Sequence, residues 1–276
     1  KFSVINMKIL VIGAGKMGLA IISSWNKKNI SQNLKIFAVD NNKSIRNSVE
    51  KKFKKVSVSE KIPENWLGEI VILAVKPQVF SLVAKEILKK NIQKKIIMSI
   101  MAGIKIKTIN ASLKIKTDII RVMPNLASEL GLGVNCIYYN KNINQRYLKK
   151  LKNLLKELGN VYKVKNERLI DAVTAISGSG PAYFFLFLLV FESIAKEIGF
   201  NKAESRNLIL DTAKGSLELV KNEVNIRTLI NSVTSKGGTT EAALEVLEKK
   251  NKGLYDLMKK AINSADKRAQ NLSKVI

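Results

Sequence analysis

Lys8-Ile-Leu-Val-Ile12-Gly13-Ala-Gly-Lys-Met-Gly18 decides the fold. The apolar run reads as a short buried strand and the glycines as a tight turn. Leu19, Ala20, Ile21, Ile22 and Trp25 then carry the apolar spacing of a helix. A G-x-G-x-x-G turn between strand and helix suits a dinucleotide. Gly13 permits the bend, Gly15 lets backbone approach a pyrophosphate, and Gly18 lets helix meet strand, so that the phosphate rests on the helix N-terminus. The bland alternative is a glycine turn with no ligand.

Outward from this unit, further apolar strands are expected at 34–39, 70–75, 96–100, 119–123, 134–138 and 161–164, several of them separated by amphipathic segments of helix length. Such alternation predicts an α/β architecture: a doubly wound, mostly parallel Rossmann-type sheet over residues 1–167. No strand-like run follows Arg168, so residues 168–276 are expected to form a second, all-helical domain. Its first helix is expected to start at Pro181, whose fixed φ suits a first helical position, and to stop near Gly199. The stretch from Ala182 to Phe191 is apolar almost all round. It is shorter than the roughly 20 residues that cross a bilayer, and Glu192 and Lys196 follow it closely. It reads as a buried helix, covered within the small domain or by another subunit, and a homodimer through the C-terminal helices is expected.

Composition narrows the chemistry. Hydrophobic residues make up 46% of the 276 and charged residues 25%, as in an ordinary globular protein. The net charge of +26 raises nucleic acid or an anionic membrane as partners. Its lysines, among them Lys51, Lys52, Lys54, Lys55, Lys89, Lys90, Lys94 and Lys95, are scattered without interleaved aromatics, which reads as a solvated basic surface; neither partner is expected. There is no histidine, so histidine acid-base chemistry and His-based zinc sites are excluded. Cys136, the one cysteine, cannot form an intrachain disulfide and cannot build a thiolate metal site. No metal is expected, and with no signal-peptide run at the N-terminus the expected location is cytoplasmic.

Five places carry chemistry. Asp40, at the end of the second strand, would accept hydrogen bonds from an adenosine ribose and so favour NAD; Lys43 and Arg46 would offset its repulsion of a 2′-phosphate, and the plain alternative is a helix cap. Ala74-Val75-Lys76-Pro77-Gln78 leaves a strand at the carboxyl edge of the sheet, where Lys76 faces an anion or ribose, or where Pro77 simply fixes a turn. Met123-Pro-Asn125 ends a later strand the same way. Ser177-Gly178-Ser179-Gly180-Pro181 offers small residues to a flat ring, or else only caps a helix. Thr234-Ser-Lys-Gly-Gly-Thr-Thr240 opens another helix, expected over 241–248. Two glycines and four hydroxyls there make a nest for a carboxylate, or an elaborate cap.

Taken together, Val11-Ile-Gly-Ala-Gly-Lys-Met-Gly18, Ala74-Val-Lys-Pro-Gln78, Arg121-Val-Met-Pro-Asn125, Asp171-Ala-Val-Thr-Ala-Ile-Ser-Gly-Ser-Gly-Pro-Ala-Tyr183 and residues 235–240 resemble pyrroline-5-carboxylate reductases, with the motifs in family order. The resemblance implies a Rossmann domain, a helical dimerisation domain and reduction of 1-pyrroline-5-carboxylate to proline with NADPH or NADH, by dimers that often assemble into decamers. It implies that Gly13, Ala14, Gly15, Lys16, Met17, Asp40, Ala74, Val75, Lys76, Pro77, Ala102 and Asn125 meet the dinucleotide. Ser177, Gly178, Ser179 and Pro181 would approach its nicotinamide. Ser235, Gly238, Thr239 and Thr240 would bind substrate, Thr240 as the catalytic hydroxyl on the ring nitrogen. Two departures stand out. Lys236 replaces the usual proline, which loosens the carboxylate loop while adding a charge that attracts an anion, and Leu126-Ala127 replaces the usual Thr-Pro.

Overall fold

The computed structural model describes residues 7–27, 34–64, 66–90, 92, 95–114, 118–140, 143–223 and 225–272. The residues ahead of Met7 and Lys94 lie outside the described residues. The strands are β1 (Met7–Ile12), β2 (Leu34–Val39), β3 (Ser57–Ser59), β4 (Ile70–Leu73), β5 (Ile96–Ser99), β6 (Ile119–Met123), β7 (Gly133–Tyr139) and β8 (Gly159–Lys163). They form one sheet in the order β3-β2-β1-β4-β5-β6-β7-β8. Every neighbouring pair is parallel except β6 with β7.

Helices α1 (Lys16–Lys27), α2 (Lys43–Lys52), α3 (Phe80–Lys89), α4 (Ile106–Leu113) and α5 (Gln145–Lys156) cover the sheet. Alternation along β1 sends Ile9 and Val11 into one core with Ile21, Trp25, Leu151 and Leu155, and Leu10 and Ile12 into another with Phe80, Ile87 and Ile109. Both faces are therefore buried. That is why β4, β5 and β6, buried along their whole length, read as near-continuous apolar runs, interrupted by Ser99 and Arg121 alone, rather than as alternating ones. Trp25 Nε1 donates to the Leu154 carbonyl at 2.9 Å and Ser24 Oγ to that of Glu157 at 2.8 Å, fastening α1 to α5.

The expected strand at 70–75 stops at Leu73, because the chain turns away through residues 74–76 into a 3-10 turn opened by Pro77. The three-residue β3, with two serines, carries no sequence signal strong enough to be read.

Beyond β8 the chain is helical. α6 (Arg168–Val173) runs into a π-helical turn, Thr174–Gly178, followed by α7 (Gly180–Ile198), α8 (Lys202–Asn222), α9 (Ile226–Ser232), α10 (Thr239–Leu247) and α11 (Leu254–Leu272). The helix expected to begin at Pro181 thus continues one that starts at Arg168. Pro181, which has no N–H to give, sits just where the π-turn hands over to α7, after Ser179 N–H has bonded to Thr174 O at 2.8 Å. Gly199 ends α7 as expected, with φ +119° and its N–H on Lys196 O.

The described residues fall into two compact units, one reaching Ser179 and including the chain from Ala265 on, the other Gly180–Ser264. Within the second, α7 packs along α8. The expectation of a buried helix is not met within this chain: Phe184 is 68% exposed and Leu186 60%. A 19-residue helix with apolar side chains on every side cannot be covered by one neighbour. The continuous helical stretch Arg168–Ile198 is, among the described residues, long and apolar enough to cross a membrane by length and composition.

Candidate functional site

The order of the sheet reverses at β1, which lies between β2 and β4, and this is where a doubly wound sheet opens a crevice at the carboxyl ends of its strands. The sequence places its candidates along that edge. Asp40 follows β2, residues 13–17 follow β1, residues 74–77 follow β4, Ala102 follows β5 and Asn125 follows β6.

The glycine turn is shaped by its neighbours. Gly13 has φ +95°, and a Cβ there would come within 2.7 Å of the Ala74 carbonyl oxygen. One on Gly18 would meet the Gly13 carbonyl oxygen at 2.1 Å. A Cβ on Gly15, by contrast, would have nothing within 4 Å. Space therefore lies open beside the middle glycine, at the start of α1, a helix with no acidic residue in its first turn. Backbone N–H groups there are unused by the helix itself. The residues present thus fit a pyrophosphate.

Asp40 does not cap the following helix; Asn42 does, its side chain accepting from Ser44 N and Ile45 N. The Asp40 carboxylate accepts instead from Ala14 N–H at 2.8 Å and Asn42 N–H at 2.9 Å, so it braces the glycine turn. Arg46, expected to offset that charge, is committed elsewhere: Nη1 donates to the Asp40 carbonyl at 2.9 Å and Nη2 pairs with Glu60 at 3.1 Å. Lys76 is exposed at the mouth of the turn opened by Pro77. Asn125 is buried, and its Oδ1 accepts from Val134 N–H at 3.2 Å, joining the end of β6 to β7. Leu126 begins a 3-10 turn, Leu126–Leu130, that lies against α1 and is closed by Gly131 at φ +76°.

Ser177, Gly178 and Ser179 lie on and just after the π-helical turn; Ser177 Oγ donates to Val173 O at 3.4 Å. A Cβ on Gly178 would sit 3.7 Å from Met123 Sδ, which places this turn against the end of β6. Cys136 is packed in the same small apolar cluster as Met123, and burial pushes its thiol pKa up, so it is a poor nucleophile.

In the second unit, Ser235, Lys236 and Thr239 are exposed, while Gly238 and Thr240 are half-buried. Gly237 has φ +70°, and its N–H goes to Glu241 Oε2 at 2.6 Å; Gly238 N–H goes to Ser235 O at 3.0 Å. These two donors are spent inside the loop. Gly238 caps α10 without a side chain, so the N–H groups of Thr239 and Thr240 in its first turn take no capping bond from it.

In the first unit, three charged residues that no motif singles out come together: Arg121, Glu167 and Asp171. Arg121 is 1% exposed and Asp171 4%, and they pair at 2.8 Å. The available signal was the arginine inside the apolar run Ile-Ile-Arg-Val-Met of β6.

Residues 167–272 match the family model described as pyrroline-5-carboxylate reductase dimerisation, and residues 8–103 that described as NADP oxidoreductase, coenzyme F420-dependent. The chain is 34% identical to pyrroline-5-carboxylate reductase of Vibrio alginolyticus, over 97% of this chain and 98% of that protein. It is likewise 34% identical to that of Aquifex aeolicus, over 98% of each. Among solved structures it is similar to pyrroline carboxylate reductase of Plasmodium falciparum with NADP bound, at a TM-score of 0.85 and 27% identity, over 98% of this chain and 100% of that one. At 34% identity to the Vibrio and Aquifex relatives over 97% and 98% of its length, the chain belongs to the pyrroline-5-carboxylate reductase family.

Proposed function

We propose that this protein reduces 1-pyrroline-5-carboxylate to L-proline, taking hydride from NADPH, with NADH also accepted. The observation that carries the reading is the gathering of Gly13, Ala74, Ala102 and Asn125 at the carboxyl ends of four adjacent strands, in a chain whose full-length relatives bear this activity in their names. Residues 13–17 hold the pyrophosphate, Asp40 and Lys76 lie along the ribose side, and Ser177, Gly178, Ser179 and Pro181 offer a small-residue surface to the nicotinamide. The hydride chemistry is the dinucleotide's when it is bound.

The protein's own part is to bind and orient. Thr239 and Thr240 backbone N–H groups at the start of α10 take the substrate carboxylate with the Ser235 hydroxyl, which occupies the space a side chain at Gly238 would fill, and the Thr240 hydroxyl hydrogen-bonds the ring nitrogen. Lys236 draws in the anion. A protonated cyclic imine needs no strong protein acid, which agrees with a chain that has no histidine. The division into a dinucleotide-binding domain, 1–167, and a substrate-binding and dimerisation domain, 168–276, follows the change from strands to helices.

The protein works in the cytoplasm as a homodimer through its C-terminal helices, with dimers assembling into a decamer. The exposed apolar side chains of α7 call for a cover, and the dimerisation family match over this region supports a second copy as that cover. The test is the loss of reduced-dinucleotide absorbance on adding 1-pyrroline-5-carboxylate, with NADPH and NADH in turn. Substrate-dependent oxidation is expected; none from folded protein that still binds dinucleotide would overturn the reading.

A further inference from the structure

β6 is buried at all five positions, yet its middle residue is charged. Arg121 Nη2 donates to Asp171 Oδ1 at 2.8 Å and Nη1 to Glu167 Oε1 at 3.1 Å; the same Glu167 oxygen accepts from Ile106 N–H at 2.7 Å. Arg121 Nε has no hydrogen-bond partner among the described residues. One guanidinium thus faces two carboxylates: Arg121 and Asp171 are shut away from water, while the Glu167 side chain stays 23% exposed. A buried ionic cluster of this kind is poor value as a stabiliser, since an apolar replacement of similar volume is often as stable or more so. Its distinctive property is direction: each carboxylate must sit where a guanidinium N–H points.

What it directs is visible along the strand. Met123 lies two residues beyond Arg121 and so on the same face of the sheet, and it is Met123 that meets Gly178. Asp171 lies one turn ahead of the π-helical turn Thr174–Gly178. The helix is therefore held to one strand face at two points, ionically at Arg121 and by contact at Met123, and Ser177 lies between them. Ile170 and Val173 of α6 pack in the same apolar cluster as Met123 and Cys136, and the ion pairs add to that packing a directional constraint. A π-turn, which inserts a residue into a helix, is itself a common mark of a functional site.

We infer that the Arg121, Glu167 and Asp171 cluster is a positioning device for the reacting ring: it fixes how far residues 177–179 project past the carboxyl end of β6. Arg121 and Asp171 are positioning residues, acting through the turn. This rests on the proposal that the turn meets the nicotinamide, and the experiment separates the two. Full-length wild-type protein and Asp171→Asn are titrated with NADPH and with 2′-phospho-ADP-ribose, which lacks the ring. The kinetic constants and the isotope effect with 4-deuterated NADPH are measured alongside.

The wild type should bind NADPH more tightly than the fragment. Asp171→Asn should leave the fragment within about twofold, weaken NADPH about fivefold and lower kcat about tenfold with a larger isotope effect, because a small misplacement near the reacting atoms is costly. Equal losses for dinucleotide and fragment, or no loss of either, would overturn the inference alone. A wild type that binds both equally would overturn the placement of the turn as well. Should Asp171→Asn not fold, Glu167→Gln, which leaves the Arg121 to Asp171 pair in place, is read by the same criteria with smaller shifts.

Discussion

Residues 13–18 and residues 235–240 are both glycine-rich turns that open a helix, yet they are held in opposite ways. The first is shaped by atoms distant in the chain: Gly13 N–H on Val39 O, the Ala74 carbonyl against Gly13, and the Asp40 carboxylate on Ala14 N–H. The second is held by bonds that reach no further than four residues: Gly238 to Ser235, Gly237 to Glu241, and Thr234 Oγ1 to Ile230 O. A turn built into a sheet edge opens only when the sheet does, whereas a turn held by local, exposed bonds opens at low cost. The turn proposed for the dinucleotide is thus preformed, and the loop proposed for the substrate is adjustable.

Breaking the preformed turn should have the largest effect. In Gly18→Ala the new Cβ would stand 2.1 Å from the Gly13 carbonyl oxygen, a backbone atom that cannot retreat without opening the turn. Overpacking of this severity costs roughly 3 kcal/mol, or about a hundredfold in affinity. A fluorescence titration with NADPH on protein shown to be folded checks it. An unchanged titration would show that the turn does not touch the dinucleotide.

The matching change in the adjustable turn is Thr240→Ala. It should lower kcat about tenfold, the loss of one hydrogen bond to a group bearing charge, and leave NADPH binding alone. Together with Gly18→Ala it sharpens the contrast: one variant fails to bind dinucleotide, the other binds it and turns over slowly. Unchanged turnover would remove Thr240 from the chemistry.

This contrast also explains what the sequence made legible. Residues 8–25 declare strand, turn and helix in consecutive positions, because the physics that shapes them, burial on both faces and close backbone approach, leaves local residue types behind. The same holds for the strands at 34–39 and 119–123, whose bounds match those of β2 and β6. Arg121 finds its carboxylates 46 and 50 residues away, and no spacing rule announces a pairing of that kind. Asp40 was legible as an acid at a strand end. That its carboxylate would brace Ala14, and that Asn42 rather than Asp40 would cap α2, depended on backbone directions that residue types do not encode. The apolar α7 was legible as a helix in need of cover, though its exposure within one chain shows that the cover was never going to be local.

Asp40→Asn tests the brace from its electrostatic side. The amide can still accept from Ala14 N–H, so the turn should survive, while the negative charge proposed to face the adenosine ribose is removed. With Arg46 already committed to Glu60, nothing else on α2 cancels that charge except Lys43. The NADPH to NADH ratio of affinities should therefore rise about fivefold, as expected for one charge acting through solvent. Parallel titrations with the two reduced dinucleotides decide it, and a ratio that does not move would confine Asp40 to bracing.

Lys236→Pro should have the smallest effect, and it separates two properties that the loop combines. Proline removes conformational freedom from the unbound loop, which favours binding by about 0.5–1 kcal/mol if the native φ suits it. It also removes an exposed charge whose attraction for an anionic substrate is screened within roughly 10 Å at 0.1 M salt. The two effects oppose each other, so KM at moderate salt should change by only about twofold. The salt dependence distinguishes them. With Lys236 in place KM should rise as salt increases, and in the variant that rise should flatten. A slope unchanged by the substitution would mean that Lys236 does no steering and that the loop's readiness to move, set by its purely local bonds, is the whole consequence of having no proline there.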